Sequence, residues 1–128
     1  VCKAYTVAAR RVPGAQAQPM LACSTPVALL QGQSITTVEG TGSLEKPSAV
    51  QMAFLEHFAF QCGYCTPGFV MATEMLLARL RAQPVRRAQL DAAIEDAVGQ
   101  HICRCTGYAR YHQAIRAVVL AEKGLVIA

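Results

Sequence analysis

Tryptophan is missing from this chain of 128 residues, and aromatic side chains make up only 6% of it. Charge is also scarce, at 16% of residues, with 12 Lys and Arg against 8 Asp and Glu. The formal net charge is +4, and the basic residues form no run, since Arg10-Arg11 and Arg86-Arg87 are isolated doublets. Nucleic-acid surfaces concentrate such charge, so no nucleic-acid partner is expected. No apolar stretch approaches the roughly eighteen residues of a membrane span, so no direct span is expected either. No basic leader with an apolar core opens the chain. These absences favour a cytoplasmic protein. A periplasmic or membrane-associated place, reached through a partner carrying its own signal, is the alternative. The first residue is Val1 rather than Met, which fits processing, truncation or an incompletely read N-terminus.

What the chain does have is apolar residues, 53% of the total, and six cysteines. Six cysteines in a small secreted chain would by default form three disulfides. Disulfide scaffolds are usually poor in core, whereas this composition affords one. Four of the cysteines also fall in two tight pairs: Cys62 and Cys65, and Cys103 and Cys105. Each pair stands on a glycine-containing loop that leads into a segment patterned as helix. Two such loops brought together offer four thiolates to a metal. The single residue between Cys103 and Cys105 is crowded for a tetrahedral zinc site, where two to four intervening residues are usual. It suits ligands spread over more than one iron. Spacing alone leaves zinc and iron–sulfur both open.

The rest of the pattern divides near residue 45. Before it, Tyr5-Thr-Val-Ala8, Met20-Leu-Ala-Cys23 and Ser34-Ile-Thr-Thr-Val38 read as strands, with a turn at Pro13-Gly14. They look too short to make a sheet alone. After it, four helices are expected. The first has Pro47 at its first position, with Val50, Phe54 and Phe58 on one face, and runs to Gln61-Cys62-Gly63. The second starts at Pro67 with Thr66 as N-cap and closes at Pro84. The third carries Leu90, Ile94, Ala97 and Val98 inward and breaks at Gly99. The fourth follows Gly107 and carries Tyr111, Ile115, Val118 and Val119. Short connections suggest an antiparallel bundle.

Both cysteine loops suit a buried anionic cluster. Thr66-Pro67 and Thr106-Gly107 stand near helix N-termini, where free N–H groups and the positive dipole end face outward. Gly63 and Gly107 lack a Cβ, so backbone can approach sulfur. An extended Cys103-Arg104-Cys105 would turn Arg104 away from the sulfurs, to an acidic partner or, the preferred reading, to solvent.

The flanking residues go further than the spacing. Gln61-Cys-Gly-Tyr-Cys-Thr-Pro-Gly-Phe-Val-Met71, followed by His101-Ile-Cys-Arg-Cys-Thr-Gly-Tyr108, closely resembles the helical [2Fe–2S] domain of the molybdenum hydroxylases. This is the xanthine dehydrogenase and aldehyde oxidoreductase family, here as a separate small subunit. The similarity also takes in Cys23, the stretch Gln31-Gly32-Gln33-Ser-Ile-Thr-Thr-Val-Glu-Gly40 and the segment Gln51 to Phe54. The resemblance implies an electron relay. Substrate is oxidised at a molybdenum–pterin cofactor in a large partner subunit, with oxygen derived from water. Electrons then pass through the pterin to a cluster held at Cys62, Cys65, Cys103 and Cys105. A flavin or cytochrome subunit is a possible further acceptor. Gln61 and Cys105 match positions that approach the pterin. Without the resemblance, Gln61 would be an amide satisfying local backbone at a helix end. The implied fold is α+β: a partial ferredoxin-like (β-grasp) segment over residues 1–45, then a four-helix [2Fe–2S]-binding bundle over residues 46–128.

The family's first domain normally carries a second cluster of the plant ferredoxin type. Cys2-Lys-Ala-Tyr-Thr-Val7 aligns with part of that motif and places Tyr5 at a cysteine ligand position, while Cys23 matches the fourth ligand. Phenolate is a poor substitute for thiolate at iron–sulfur iron. Cys2 and Cys23 therefore remain candidate ligands of a second cluster. That cluster is absent, or completed by residues upstream of Val1, or obscured by an imperfect sequence.

No nucleophile–His–acid arrangement is legible, so no catalytic residue is assigned. His57 and His112 read as surface or core-edge residues, and His101 as a weak alternative ligand. Met52, Met71 and Met75 read as core fillers. Glu39 and Glu74 are lone carboxylates. The competing functions are a zinc-stapled structural or interaction module and a redox sensor. The substrate, among purines, aldehydes, N-heterocycles and carbon monoxide, would be chosen in the partner.

Overall fold

The computed structural model describes Lys3 and residues 5–128; Cys2 lies outside the described residues. Three strands come first: β1 (Thr6–Arg10), β2 (Gln18–Leu21) and β3 (Ser34–Thr36). They form one antiparallel sheet in the order β2-β1-β3, with Val7 opposite Met20 and Ala9 opposite Ile35. The turn expected at Pro13-Gly14 joins β1 to β2, and Gly14 adopts φ +82°, a conformation that favours glycine. β1 is the middle strand, and Thr6, Val7, Ala8 and Ala9 are all buried.

Four helices follow: α1 (Ala49–Glu56), α2 (Thr66–Ala82), α3 (Leu90–Val98) and α4 (Ala109–Ala121). The sheet packs on α2, while α1 packs on α4 and α3 on both α2 and α4. The short sheet is thus completed by a helix from the second half of the chain, which the strands alone could not indicate. A second, parallel pair joins β4 (Val85–Arg86) to β5 (Val126–Ile127). Two-residue strands carry no periodicity, so nothing in the sequence announced them.

One core runs through all four helices. Phe54, Phe69, Leu76, Leu77, Leu90, Ile94, Tyr111, Ile115 and Leu125 are each at most 2% exposed. Full burial of such a side chain is worth about 1.5–3 kcal/mol, so this core anchors the loops at the helix ends.

Several helix boundaries differ from expectation, each for a local reason. α1 starts one residue after Ser48, not at Pro47. Ser48 Oγ accepts from the Gln51 N–H at 3.1 Å while Gln51 Oε1 accepts from the Ser48 N–H at 2.8 Å. That reciprocal capping box fixes the start. α1 also ends at Glu56, so Phe58 is not on its inner face and is 72% exposed. Met52 is likewise exposed at the surface of α1, whereas Met71 is buried. Thr66 is the first residue of α2 rather than its cap, and Cys65 takes the cap position with no side-chain cap bond.

Candidate metal centre

Two loops carry the four paired cysteines, and positive φ angles shape both. The first follows α1. Phe58 has φ +48°, and the N–H groups of Phe58 and Ala59 bond back to the carbonyls of Leu55 and Phe54. This is a Schellman motif with phenylalanine at the left-handed position that glycine usually takes. It stops α1 early and sends the chain through Gly63, at φ +81°, to Cys65. The second loop leaves α3 and ends in two consecutive left-handed residues, Gly107 (φ +64°) and Tyr108 (φ +69°). A Cβ added at Gly63 or Gly107 would meet no atom within 4 Å. Backbone conformation, rather than crowding by other protein atoms, is what calls for glycine there.

The loops meet. Gln61 Nε2 donates to the Cys105 carbonyl at 3.0 Å. Across the two loops Cys62 and Cys105 lie near enough to shift each other's ionisation, as do Cys65 and Cys103. Cys62 and Cys105 are exposed, and Cys65 and Cys103 are buried. All five described cysteines are free thiols, so the disulfide alternative finds no support among them. Cys23 is exposed in the turn after β2, one residue beyond the bond from the Ala22 N–H to the Tyr5 carbonyl.

The sulfurs sit among hydrogen-bond donors. Thr106 Oγ1 donates to Cys103 Sγ at 3.0 Å, and the Tyr111 hydroxyl lies 3.5 Å from Cys65 Sγ. The backbone N–H of Tyr64, followed by the Cys105 thiol, pulls the Cys62 thiol below its ordinary range. At Cys103 burial pushes up, but the Thr106 hydroxyl, the N–H groups of Thr106 and Cys105 and the Cys65 thiol together bring it down. Burial pushes the Cys65 thiol up, and Cys105 rises chiefly because it hydrogen-bonds to Cys62. Easier ionisation at one thiol from each loop suits metal binding, since only the thiolate is a ligand.

This donor set fits a two-iron cluster better than a single ion. The thiols make an inner and an outer pair, and N–H and O–H groups point at their sulfurs as a negative cluster requires.

Residues 37–116 match the [2Fe-2S] binding domain family. The chain belongs to that family. Relatives of this chain include separate oxidoreductase subunits. It is 38% identical to the nicotinate dehydrogenase small FeS subunit of Eubacterium barkeri, over 79% of this chain and 60% of that protein. It is 45% identical to a probable xanthine dehydrogenase subunit of Bacillus subtilis, over 68% of this chain and 46% of that protein. The chain thus spans about half the length of these two relatives. It is also similar to the crystal structure of quinoline 2-oxidoreductase from Pseudomonas putida 86, with TM-score 0.74 and 33% identity, over 94% of this chain and 68% of that one. The fold is accordingly the mixed α and β arrangement of this [2Fe-2S] domain, with four helices and small sheets. Zinc stapling is set aside by the same relationships.

The remaining candidates take structural places. His101 is buried, with its ring centre 4.9 Å from that of Phe69. Burial, then the charge of Lys3, holds it neutral down to about 4. His57 closes α1, and His112 stands 3.8 Å from Glu95. Arg104 is exposed, though it lies in a bend rather than an extended stretch. Tyr111 and Thr66 were expected only as a core residue and a cap. The signal available was a tyrosine on an apolar helix face, because a buried phenol needs a polar partner.

Proposed function

We propose that this chain is the electron-transfer iron–sulfur subunit of a molybdenum–pterin hydroxylase or dehydrogenase. Substrate oxidation would lie in a large partner subunit, and the electrons would pass on to a further acceptor such as a flavin or cytochrome subunit. The observation that carries this is the pairing of thiols across the two loops, Cys62 with Cys105 and Cys65 with Cys103.

Cys62, Cys65, Cys103 and Cys105 would hold the [2Fe–2S] cluster. When bound, the cluster supplies one-electron redox chemistry. The chain's own part is to order the four sulfurs and surround them with donors. Thr106 holds Cys103, the Tyr64 N–H holds Cys62, and α2 directs its N-terminal dipole toward the first loop. Burial of Cys65 and Cys103 keeps water from the inner pair, while Cys62, Cys105 and Gln61 are exposed. Gln61 and Cys105 would therefore meet the partner's pterin.

The surface beside these residues supports such a partner. Leu44 is 98% exposed, Phe58 72% and Tyr64 62%. Leu44 also lines a groove of about 730 Å³ together with Leu55, Phe60, Gly63 and Pro67. Exposed apolar surface of this kind marks interaction sites. Among the described residues no helix is long and apolar enough to cross a membrane, and a cytoplasmic complex is proposed.

We further propose two units, residues 1–45 and 46–128. The first would be ferredoxin-like, supported by the sheet order β2-β1-β3. Cys2 and Cys23 would be its remaining thiols toward a second cluster.

Co-purification with metal analysis tests the assignment. A complex containing iron, molybdenum and a large subunit is expected. A colourless, zinc-containing protein without a molybdenum partner would overturn it.

A further inference from the structure

Tyr111 is a tyrosine with no exposed surface, on the inner face of α4. Its ring is clamped on two sides. Phe69 stacks on it with centroids 4.0 Å apart and planes 3° from parallel, and Phe54 meets it at 5.4 Å and 62°. Packing alone would be served as well by phenylalanine. The hydroxyl, however, has two partners: Thr66 Oγ1 at 2.8 Å and Cys65 Sγ at 3.5 Å.

The directions of these two bonds follow from the state of the sulfur. A metal-bound cysteine sulfur carries no proton and can only accept. Tyr111 therefore donates its single hydrogen to Cys65, and Thr66 donates to the Tyr111 oxygen. This explains why Thr66, in the first turn of α2, does not spend its hydroxyl on its own helix: it orients the phenol. A fully buried phenol beside an anionic sulfur keeps its proton, so it remains the donor.

The geometry points to Tyr111 as the residue that sets the reduction potential of the cluster, through a phenol–sulfur hydrogen bond to Cys65 aligned by Thr66. This rests on Cys65 being a cluster ligand. A hydrogen bond to sulfur stabilises the reduced cluster, the more negative form, over the oxidised one, and so raises the potential. One electron is gained on reduction and no proton moves, since the phenol keeps its hydrogen in both states. Low local dielectric strengthens the effect, because hydroxyl and sulfur are both buried.

The test is a redox titration of the iron-loaded complex carrying Tyr111→Phe, followed by EPR of the reduced cluster. Iron content and visible absorption should match the parent, because the ring and its stacking remain. The midpoint should fall, so that at the parent's midpoint the reduced-to-oxidised ratio drops about tenfold, or about 59 mV for a one-electron couple. An unchanged midpoint with full iron would overturn the proposal while leaving the ligand assignment standing. Loss of the ligand assignment shows differently, as full iron in Cys65→Ser. Should Tyr111→Phe not fold, ENDOR of the parent in H₂O and D₂O decides. An exchangeable proton coupled to the cluster and weakened in Thr66→Val is expected. Identical spectra for parent and Thr66→Val would reject the bond.

Discussion

The side-chain amide of Gln61 donates to the carbonyl of Cys105 at 3.0 Å, tying together loops that lie 44 residues apart in sequence. Gln61 is therefore not an amide serving its own helix end. Both residues are exposed, so the bond is worth about 0.5–1.5 kcal/mol and the fold should survive its loss. Gln61→Ala should leave the iron content nearly intact. Electron delivery from the partner should slow by up to about tenfold, the kinetic equivalent of one such bond. Stopped-flow bleaching of the cluster after substrate addition measures this. An unchanged rate would reduce Gln61 to a tie between loops.

The inner and outer thiol pairs give the ligand assignment its own test. Single replacement of Cys62, Cys65, Cys103 or Cys105 by Ser should bleach the visible absorption and lower iron per chain. Cys65 and Cys103 are buried, so their variants should also lose stability, because a more polar hydroxyl replaces a thiol in the core. Full iron in all four single variants would reject the assignment.

Two consecutive left-handed residues, Gly107 and Tyr108, turn the second loop into α4. An alanine at Gly107 meets no atom within 4 Å, so its cost is backbone strain alone, about 1–2 kcal/mol. Gly14, at φ +82° in the β1–β2 turn and equally open, makes a matched control. Both alanine variants should lower the melting temperature by several degrees. Only Gly107→Ala should also slow iron incorporation. Equal incorporation in both would show that the turn shapes the fold without shaping the site.

Much of this site was legible from side-chain chemistry and spacing, and the errors fall where backbone geometry decides. The paired cysteines and their flanks pointed to the two loops that the fold brings together, and the apolar periods of α2, α3 and α4 placed their helices within a few residues. The early end of α1 was hidden because its left-handed residue is Phe58 rather than glycine, so the sequence carried no stop signal there. Thr66 was read as a cap because a threonine before proline normally is one. Its hydroxyl instead goes to Tyr111, 45 residues away, a contact that only tertiary packing creates. The sheet was underrated for a similar reason: β1 is buried against α2, from the other half of the chain.

Tyr5, which the sequence resemblance sets at a ligand position of a ferredoxin-type cluster, shares a hydrogen bond with Tyr64 at 3.1 Å, their rings edge to face at 6.1 Å. Tyr64 lies between Cys62 and Cys65, so this phenol is engaged with the loop of the helical cluster. A phenol so engaged, and a hard oxygen donor besides, is a poor iron–sulfur ligand. The other candidates for a second cluster among these 128 residues are Cys2 and Cys23, two thiols where four are needed. A sample whose intact mass matches this sequence should therefore hold about two irons per chain, the content of one [2Fe–2S] cluster. Tyr5→Phe should leave that number unchanged, because the ring contact remains and no ligand is lost. Twice that iron on a chain of this mass, falling on Tyr5→Phe, would make Tyr5 a ligand after all.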